Sequence, residues 1–551
     1  MKKLLSLVLA LCMLLGVSAM AEAPVPADIV VLYTNDVHCG VDNGLGYAGL
    51  AAYKQKLIAD GNQVTLVDVG DAVQGEAIGT LSTGSYIIDI MNQVGYDIGI
   101  PGNHEFDYGM DRFFELRDMA NFPYLAANFT KEGELVLAPY QIIEYDGAKI
   151  AYVGIATPQS ISTSTPKFFQ DENGNYIYGF MPGENGQELY AGVQAAVDAA
   201  RAEGAIYVVA LAHLGISHES SPWMSTDVIL NTTGIDVVLD GHSHSVIPSE
   251  TVKNKEGKDV LLSSTGTKLQ NVGQLRIKAD GTITTELIPW NNETVALIKS
   301  ILPIWNNETD ALIKDIQVQF EDKLKEVVAK SEVDLFINDP DTDPPARIIR
   351  VAETNLGDLC ADAYRAIAES DVAIVNGGGI RVAIPAGDIT FGHIINVHPF
   401  GNALCKVEAT GQQILDALEM GARVVPEENG GFLQVSGMTY EIHTYIESSV
   451  KTSEQGMFEG VEGEYRVKNV KIGGEDLAPD KLYTVASHDY LLKNGGDGHV
   501  MFQNANLLLD SIMLDNQVLI NYITQTLGGA VGEEYAEPYG QGRIVAVEAA
   551  P

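Results

Sequence analysis

Tyr96-Asp97-Ile98-Gly99-Ile100-Pro101-Gly102-Asn103-His104-Glu105-Phe106-Asp107 sets the reading of the first half of the chain. An apolar, β-rich run (96–100) ends at a glycine and hands over at once to an amide, an imidazole and two carboxylates. The same order recurs around it. Predicted strands at 29–33, 64–69, 205–212 and 235–239 are followed by Asp36-Val37-His38, Gly70-Asp71, His213 and Gly241-His242-Ser243-His244. Helical patterns at 50–59, 86–94, 110–119 and 189–202 lie between them, which is α/β punctuation. In α/β sheets, ligand sites gather at the carboxyl ends of the strands. These five segments are therefore predicted to meet in space, and they hold five of the 11 histidines. A Ser/Thr/Pro/Gly-rich stretch at 158–188 reads as a long surface loop.

Oxygen donors from Asp and Asn mixed with neutral imidazoles suit zinc, manganese, iron or cobalt better than calcium or a thiolate-bound metal. Cys39 abuts His38, but no second cysteine stands at zinc-site spacing. The donors outnumber the needs of one tetrahedral ion. That points to two ions, a pair that in such sites lies about 3.5–4 Å apart and clamps a phosphoryl group.

The rest of the chain sets limits on this chemistry. Its 551 residues carry 34 Lys+Arg against 74 Asp+Glu, a formal charge of −40, which argues against nucleic-acid or anionic-membrane partners. Lys2 and Lys3, the apolar run 4–17 and Ala19-Met20-Ala21 predict a signal peptide over 1–21, cleaved after Ala21, and hence a secreted protein, periplasmic or extracellular. No later stretch reads as a transmembrane anchor. Cys39, Cys360 and Cys405, the three cysteines beyond that peptide, are too sparse for a disulfide framework and read as packing residues. A catalytic domain is expected over 22–285 and a helical linker over 286–345. Within that linker Trp290-Asn291-Asn292-Glu293-Thr294 recurs fifteen residues later as Trp305-Asn306-Asn307-Glu308-Thr309, about four helical turns apart, so one apolar stripe stays in phase. The linker is also a candidate hinge. A second α/β domain is expected over 346–551, with helices at 356–369 and 412–422 and strands at 372–375 and 482–486.

In that second domain Asn376-Gly377-Gly378-Gly379-Ile380-Arg381 directly follows a predicted strand. Consecutive glycines let backbone N–H groups approach an anion, and the arginine adds a bidentate fork. Arg347 and Arg350, Pro399-Phe400-Gly401-Asn402 and Asn494-Gly495-Gly496-Asp497-Gly498 complete the set.

The ordered motifs Asp-x-His, Gly-Asp, Gly-Asn-His-Glu, His and Gly-His-x-His resemble those of calcineurin-like metallophosphoesterases. Gly102 to Asp107, together with the four C-terminal segments, resembles the 5′-nucleotidase family over nearly the whole chain. The resemblance implies a β-sandwich flanked by helices, joined by the linker to a substrate-binding α/β domain. It implies two divalent ions (zinc, manganese or cobalt), one held by Asp36, His38, Asp71 and His244 and the other by Asp71, Asn103, His213 and His242. It implies His104 as the transition-state stabiliser, oriented by Asp107. Arg347, Arg350 and Arg381 would grip the phosphate of a nucleotide, Phe400 would stack on the base, Asn376 or Asn402 would bond its edge, and Asp497 would accept the ribose hydroxyls. The activity implied is hydrolysis of nucleoside 5′-monophosphates, with di- and triphosphates and nucleotide sugars as further candidates. The alternative is a 2′,3′-cyclic-nucleotide phosphodiesterase/3′-nucleotidase, and a silent nucleotide-binding surface protein is a third reading. Two positions depart from the pattern. Close relatives often carry Gln or Asn where this chain has His244, and their second base-stacking aromatic falls on Leu491, with Tyr490 adjacent.

Overall fold

The structure, a computed structural model, describes residues 28–305 and 307–549. The predicted signal peptide lies outside the described residues. In the strand Ile29–Thr34 successive side chains point to opposite faces and every residue is buried. Ile29, Val31 and Tyr33 share a core with Tyr152, Leu211 and Leu239 of a second sheet. Val30 and Leu32 face the other way, into a core with Leu50 and Ile87 of the helices Gly46–Ala59 and Ser85–Val94. Burial on both faces is why these strands read as unbroken apolar runs.

The first sheet runs Ile283–Pro289, Asn271–Ile277, Ile29–Thr34, Gln63–Asp68, Ile98–Gly99. The second runs Val246–Lys253, Asp259–Thr265, Val237–Asp240, Tyr207–His213, Ala148–Ala156, Tyr140–Tyr145. The helix Gln187–Ala202 covers the outer face of the second sheet through Leu189, Val193 and Val197. The result is a β-sandwich with helices outside. Register then sets the site. Thr34 lies opposite Asp68 and Asp68 opposite Gly99 in parallel pairing, and Ala212 lies opposite Asp240. Within each sheet, therefore, the chain leaves its parallel strands at the same level.

The stretch 158–188 is not a plain surface loop. It forms the short helices Ser160–Thr163 and Pro166–Phe169 and the strand Tyr178–Gly179. Phe169 and Phe180 are buried with ring centroids 5.3 and 5.6 Å from that of Phe106, which anchors the stretch under the Gly102–Asp107 turn. The repeated segment forms the helices Asn292–Trp305 and Asn307–Val318. Ile298 and Ile301 of the first copy, and their equivalents Ile313 and Ile316 of the second, enter the same core as Leu50. Both helices are thus fastened to the first part of the chain.

The second part is built on the sheet Leu433–Ser436, Val372–Asn376, Leu482–His488, Leu404–Thr410, Asn506–Leu509. Ala373 and Val375 pack on the helix Asn355–Ala368, whose N-terminus is capped by the Thr354 hydroxyl accepting from the Gly357 N–H. Val372 and Ile374 face the helix Gly411–Ala422 on the opposite side. Cys39, Cys360 and Cys405 are buried and unpaired. The two parts meet directly: Thr80 donates to the Pro399 carbonyl (2.7 Å) and Tyr490 to the Ser162 carbonyl (2.9 Å).

Candidate active site

The loops leaving the strands turn sharply. Asp36, His38, Asp71, His242 and His244 all have positive φ, between 47° and 73°. This left-handed conformation costs a non-glycine residue about 1–2 kcal/mol, and such strain clusters at functional sites. Two glycines make room for the turns. A Cβ on Gly70 would lie 2.6 Å from the Gly102 nitrogen, and one on Gly102 would lie 2.3 Å from Asp71 Oδ1. The buried Glu105 carboxylate ties the loops together by accepting from the backbone N–H groups of Asp71 (2.8 Å), Ala72 (2.8 Å) and Gly102 (2.6 Å). Sequence reasoning quoted Glu105 but gave it no role.

Three groups of donor atoms converge: Asp36, His38 and His244; His38, Asp71 and His104; and Asp71, His213 and His242. Asp71 is common to two of them, and Asn103 Oδ1 joins the last at 2.9 Å from His242 Nδ1. All seven residues proposed as ligands are thus gathered at one point. The imidazoles are oriented from outside. His38 Nδ1 bonds the Gln74 carbonyl (3.0 Å) and His213 Nδ1 the Val69 carbonyl (2.7 Å), so both Nε2 atoms turn inward. His38 Nε2 and His244 Nε2 face each other at 3.0 Å. His213 Nε2, fully buried, lies 3.1 Å from Asp71 Oδ2 but out of hydrogen-bonding alignment. Burial holds His38 and His244 well below the usual imidazole range and His242 down at about 3. Burial opposes a charge on His213 as well, but the Asp71 carboxylate outweighs it and lifts His213 to about 10. Imidazole nitrogens and carboxylate oxygens converging in a buried space form a donor set that suits divalent cations.

His104 flanks this cluster. Its backbone N–H donates to Asp71 Oδ1 (2.8 Å) and its Nδ1 is 2.5 Å from Asp107 Oδ2. Burial disfavours its charge, yet the carboxylates of Asp107 and Asp71 raise it above the ordinary imidazole value. His218 is exposed, as the sequence suggested, and Asp68 supports its loop by accepting from the Gly70 N–H (3.0 Å).

Across a cleft of about 410 Å³ stand the residues of the second part. Arg350, Asn376, Arg381, Phe400, Asn402 and Asp497 line it, while Arg347 lines an adjoining cavity and bonds Glu428 (2.6 Å). Asn376 Nδ2 donates to Asp497 Oδ2 (2.7 Å), and the Phe400 ring sits 5.6 Å from the His104 ring and 5.7 Å from the Arg381 guanidinium. Leu491 is fully buried in the core, whereas Tyr490 lines the cleft and accepts from the Asp497 N–H (3.1 Å). Sequence reasoning missed Gln159, Trp223, Arg423, Asn429 and Ser453, which also line the cleft. None sits in a motif. Gln159 lay in the misread loop, and its Oε1 accepts from His242 Nε2 (2.8 Å), so that Nδ1 of the same ring faces the cluster.

Three buried histidines brace this wall: His398 on the Gly379 carbonyl, His488 on Asn376 Oδ1 and His499 on the Gly431 carbonyl. Burial lowers them to about 4, 3 and 4. They stay neutral in the folded protein but protonate in the unfolded chain below about pH 6.5, so stability falls as pH drops below that value. At pH 5 each should cost about 2 kcal/mol. Urea unfolding at pH 7 and pH 5 checks this: the midpoint should drop at pH 5, and His398→Gln should shrink the drop. Equal midpoints at the two pH values would refute it.

Comparison with known proteins places the chain. Residues 29–246 match the family profile described as calcineurin-like phosphoesterase, and residues 327–504 match that of the 5′-nucleotidase C-terminal domain. The trifunctional nucleotide phosphoesterase protein YfkN of Bacillus subtilis is 28% identical over 94% of this chain, which spans only 35% of that longer protein. The 5′-nucleotidase of Vibrio parahaemolyticus is 27% identical over 90% of this chain and 89% of its own length. Among solved structures, the 5′-nucleotidase precursor from Thermus thermophilus aligns with a TM-score of 0.76 at 25% identity, covering 95% of this chain and all of that one. With both halves accounted for in this order, the chain belongs to the 5′-nucleotidase family and is a metal-dependent phosphoester hydrolase.

Proposed function

We propose that the protein hydrolyses nucleoside 5′-monophosphates to nucleoside and phosphate, with nucleoside di- and triphosphates and nucleotide sugars as further substrates. One observation carries the reading: the donor cluster with His104 faces Arg350, Arg381, Phe400 and Asp497 across a single cleft. Two divalent cations, zinc, manganese or cobalt, are proposed, one on Asp36, His38, Asp71 and His244 and one on Asp71, Asn103, His213 and His242. When bound, such ions supply Lewis acidity toward phosphoryl oxygens and lower the pKa of water. The remaining work belongs to the chain. Asp107 holds His104 so that its Nε2–H meets the phosphoryl oxygen where charge builds. Arg350 and Arg381, with Arg347 behind them, hold the phosphate. Asp497 accepts the ribose hydroxyls, Asn376 or Asn402 bonds the base edge, and the base stacks on Phe400, with Tyr490 in place of the second aromatic. These cations sit within about a Debye length of the substrate, while distant surface acids are screened.

We read 22–285 as the catalytic domain, 286–345 as the linker and 346–551 as the substrate-binding domain, and the protein as secreted after cleavage at Ala21. No helix among the described residues is long and apolar enough to cross a membrane.

The test is phosphate release from AMP, UMP, ADP, UDP-glucose, 3′-AMP and 2′,3′-cyclic AMP with manganese, zinc or cobalt added. A preference for 5′-monophosphates is expected. Preference for the cyclic or 3′ substrates would overturn the reading of the nucleoside pocket, and silence with metals bound would overturn the nucleotide reading altogether. Phe400→Ala should raise KM for AMP about tenfold, because stacking on an aromatic is worth about 1–3 kcal/mol per base. An unchanged KM would remove Phe400 from the base site.

A further inference from the structure

On the other side of His244, Arg350 and Arg381 lies a second cavity of about 170 Å³, which shares only these three residues with the main cleft. Four of its lining residues are cationic, Lys268, Arg347, Arg350 and Arg381, and none is a carboxylate. In a chain of charge −40 this is a concentrated exception. Ile337 and Ile380 supply apolar walls. The cavity is too small for a nucleotide, since pockets for drug-sized molecules measure about 300–1,000 Å³. Its chemistry suits a small oxyanion.

Lys268 is not assigned by any motif, yet it is held in place. Its backbone N–H donates to the Asp36 carbonyl (3.0 Å), and the Thr267 hydroxyl donates to the same oxygen (2.7 Å). Its ammonium bonds Glu76 (2.8 Å), which does not line the cavity. The segment 267–268 is therefore fastened to the loop that carries Asp36 and His38.

We propose that this cavity binds inorganic phosphate, the product of the reaction, with Lys268 as the cation farthest along its path, so that phosphate leaves the centre on the side opposite the nucleoside. The release role rests on the proposed hydrolysis; phosphate binding does not. Once the ester bond is broken, the nucleoside faces the wide cleft and the oxyanion faces the shared wall of His244, Arg350 and Arg381.

The test uses the metal-loaded full-length protein. Calorimetric titration with inorganic phosphate and phosphate inhibition of AMP hydrolysis are measured for wild type, Lys268→Gln, Lys268→Arg and Lys268→Glu. Lys268→Gln should weaken phosphate about tenfold in both, Lys268→Glu more, and Lys268→Arg less than twofold, with KM for AMP and inhibition by adenosine within twofold of wild type. Unchanged phosphate affinity in Lys268→Gln and Lys268→Glu would overturn the proposal. So would a KM that rises in step with it, since Lys268 would then serve the substrate grip. Calorimetry separates the two readings: a protein inactive on nucleotides that still binds phosphate through Lys268 keeps the site while losing the proposed function.

Discussion

Asp71→Ala should lower kcat/KM for the preferred nucleotide by about 10³–10⁴ and should empty the centre of metal. Asp71 belongs to two of the three donor groups, with His38 and His104 on one side and His213 and His242 on the other. Metal stabilisation of the transition state is worth several kcal/mol, and each 1.36 kcal/mol is a factor of ten in rate. The substitution also removes the carboxylate that does most to raise His213 against the effect of burial. The measurement is metal content by mass spectrometry beside steady-state kinetics. Wild type should bind two ions per chain and the variant fewer than one, with no recovery in excess metal. A variant that keeps both ions would show that the two clusters do not share this carboxylate.

His104→Asn should lower kcat by about 10³, within the range for a positioned acid–base group, while leaving KM within about threefold. His104 stands at the cluster edge, with Nδ1 committed to Asp107 and its ring beside Phe400. Asp107→Asn should cost less, about 10²-fold, since it loosens the imidazole without removing it. Metal content is the deciding control, because His104 also falls within a donor group with His38 and Asp71. If the variant loses an ion together with its activity, His104 is a ligand and its assigned role is wrong.

Much of this site was legible because its chemistry is written in short local runs. Asp36-Val37-His38, Gly102-Asn103-His104 and Gly241-His242-Ser243-His244 each lie within one turn, and the apolar run before each marks a strand. The residues that escaped notice act from outside such runs. Gln159 reaches His242 only because Phe169 and Phe180 fold the stretch 158–188 under Phe106, a long-range packing event with no local signal. Glu105 was visible as a letter in a motif, but its task of collecting three backbone N–H groups from two loops requires both loops in place. The choice between Tyr490 and Leu491 was a matter of one residue of phase, and burial settled which side chain reaches the cleft.

Order along the chain was sufficient for the α/β class and for the donor-rich runs at the strand ends, because strand periodicity and donor chemistry are local properties, whereas the sandwich was implied only by the family resemblance. The helical repeat was equally plain, yet only packing showed that both copies send equivalent isoleucines into one core. The meeting of the two halves, the walls of the cleft and the cationic cavity beside Lys268 are contacts between residues hundreds of positions apart. They depend on register and shape complementarity, which no stretch of sequence carries on its own.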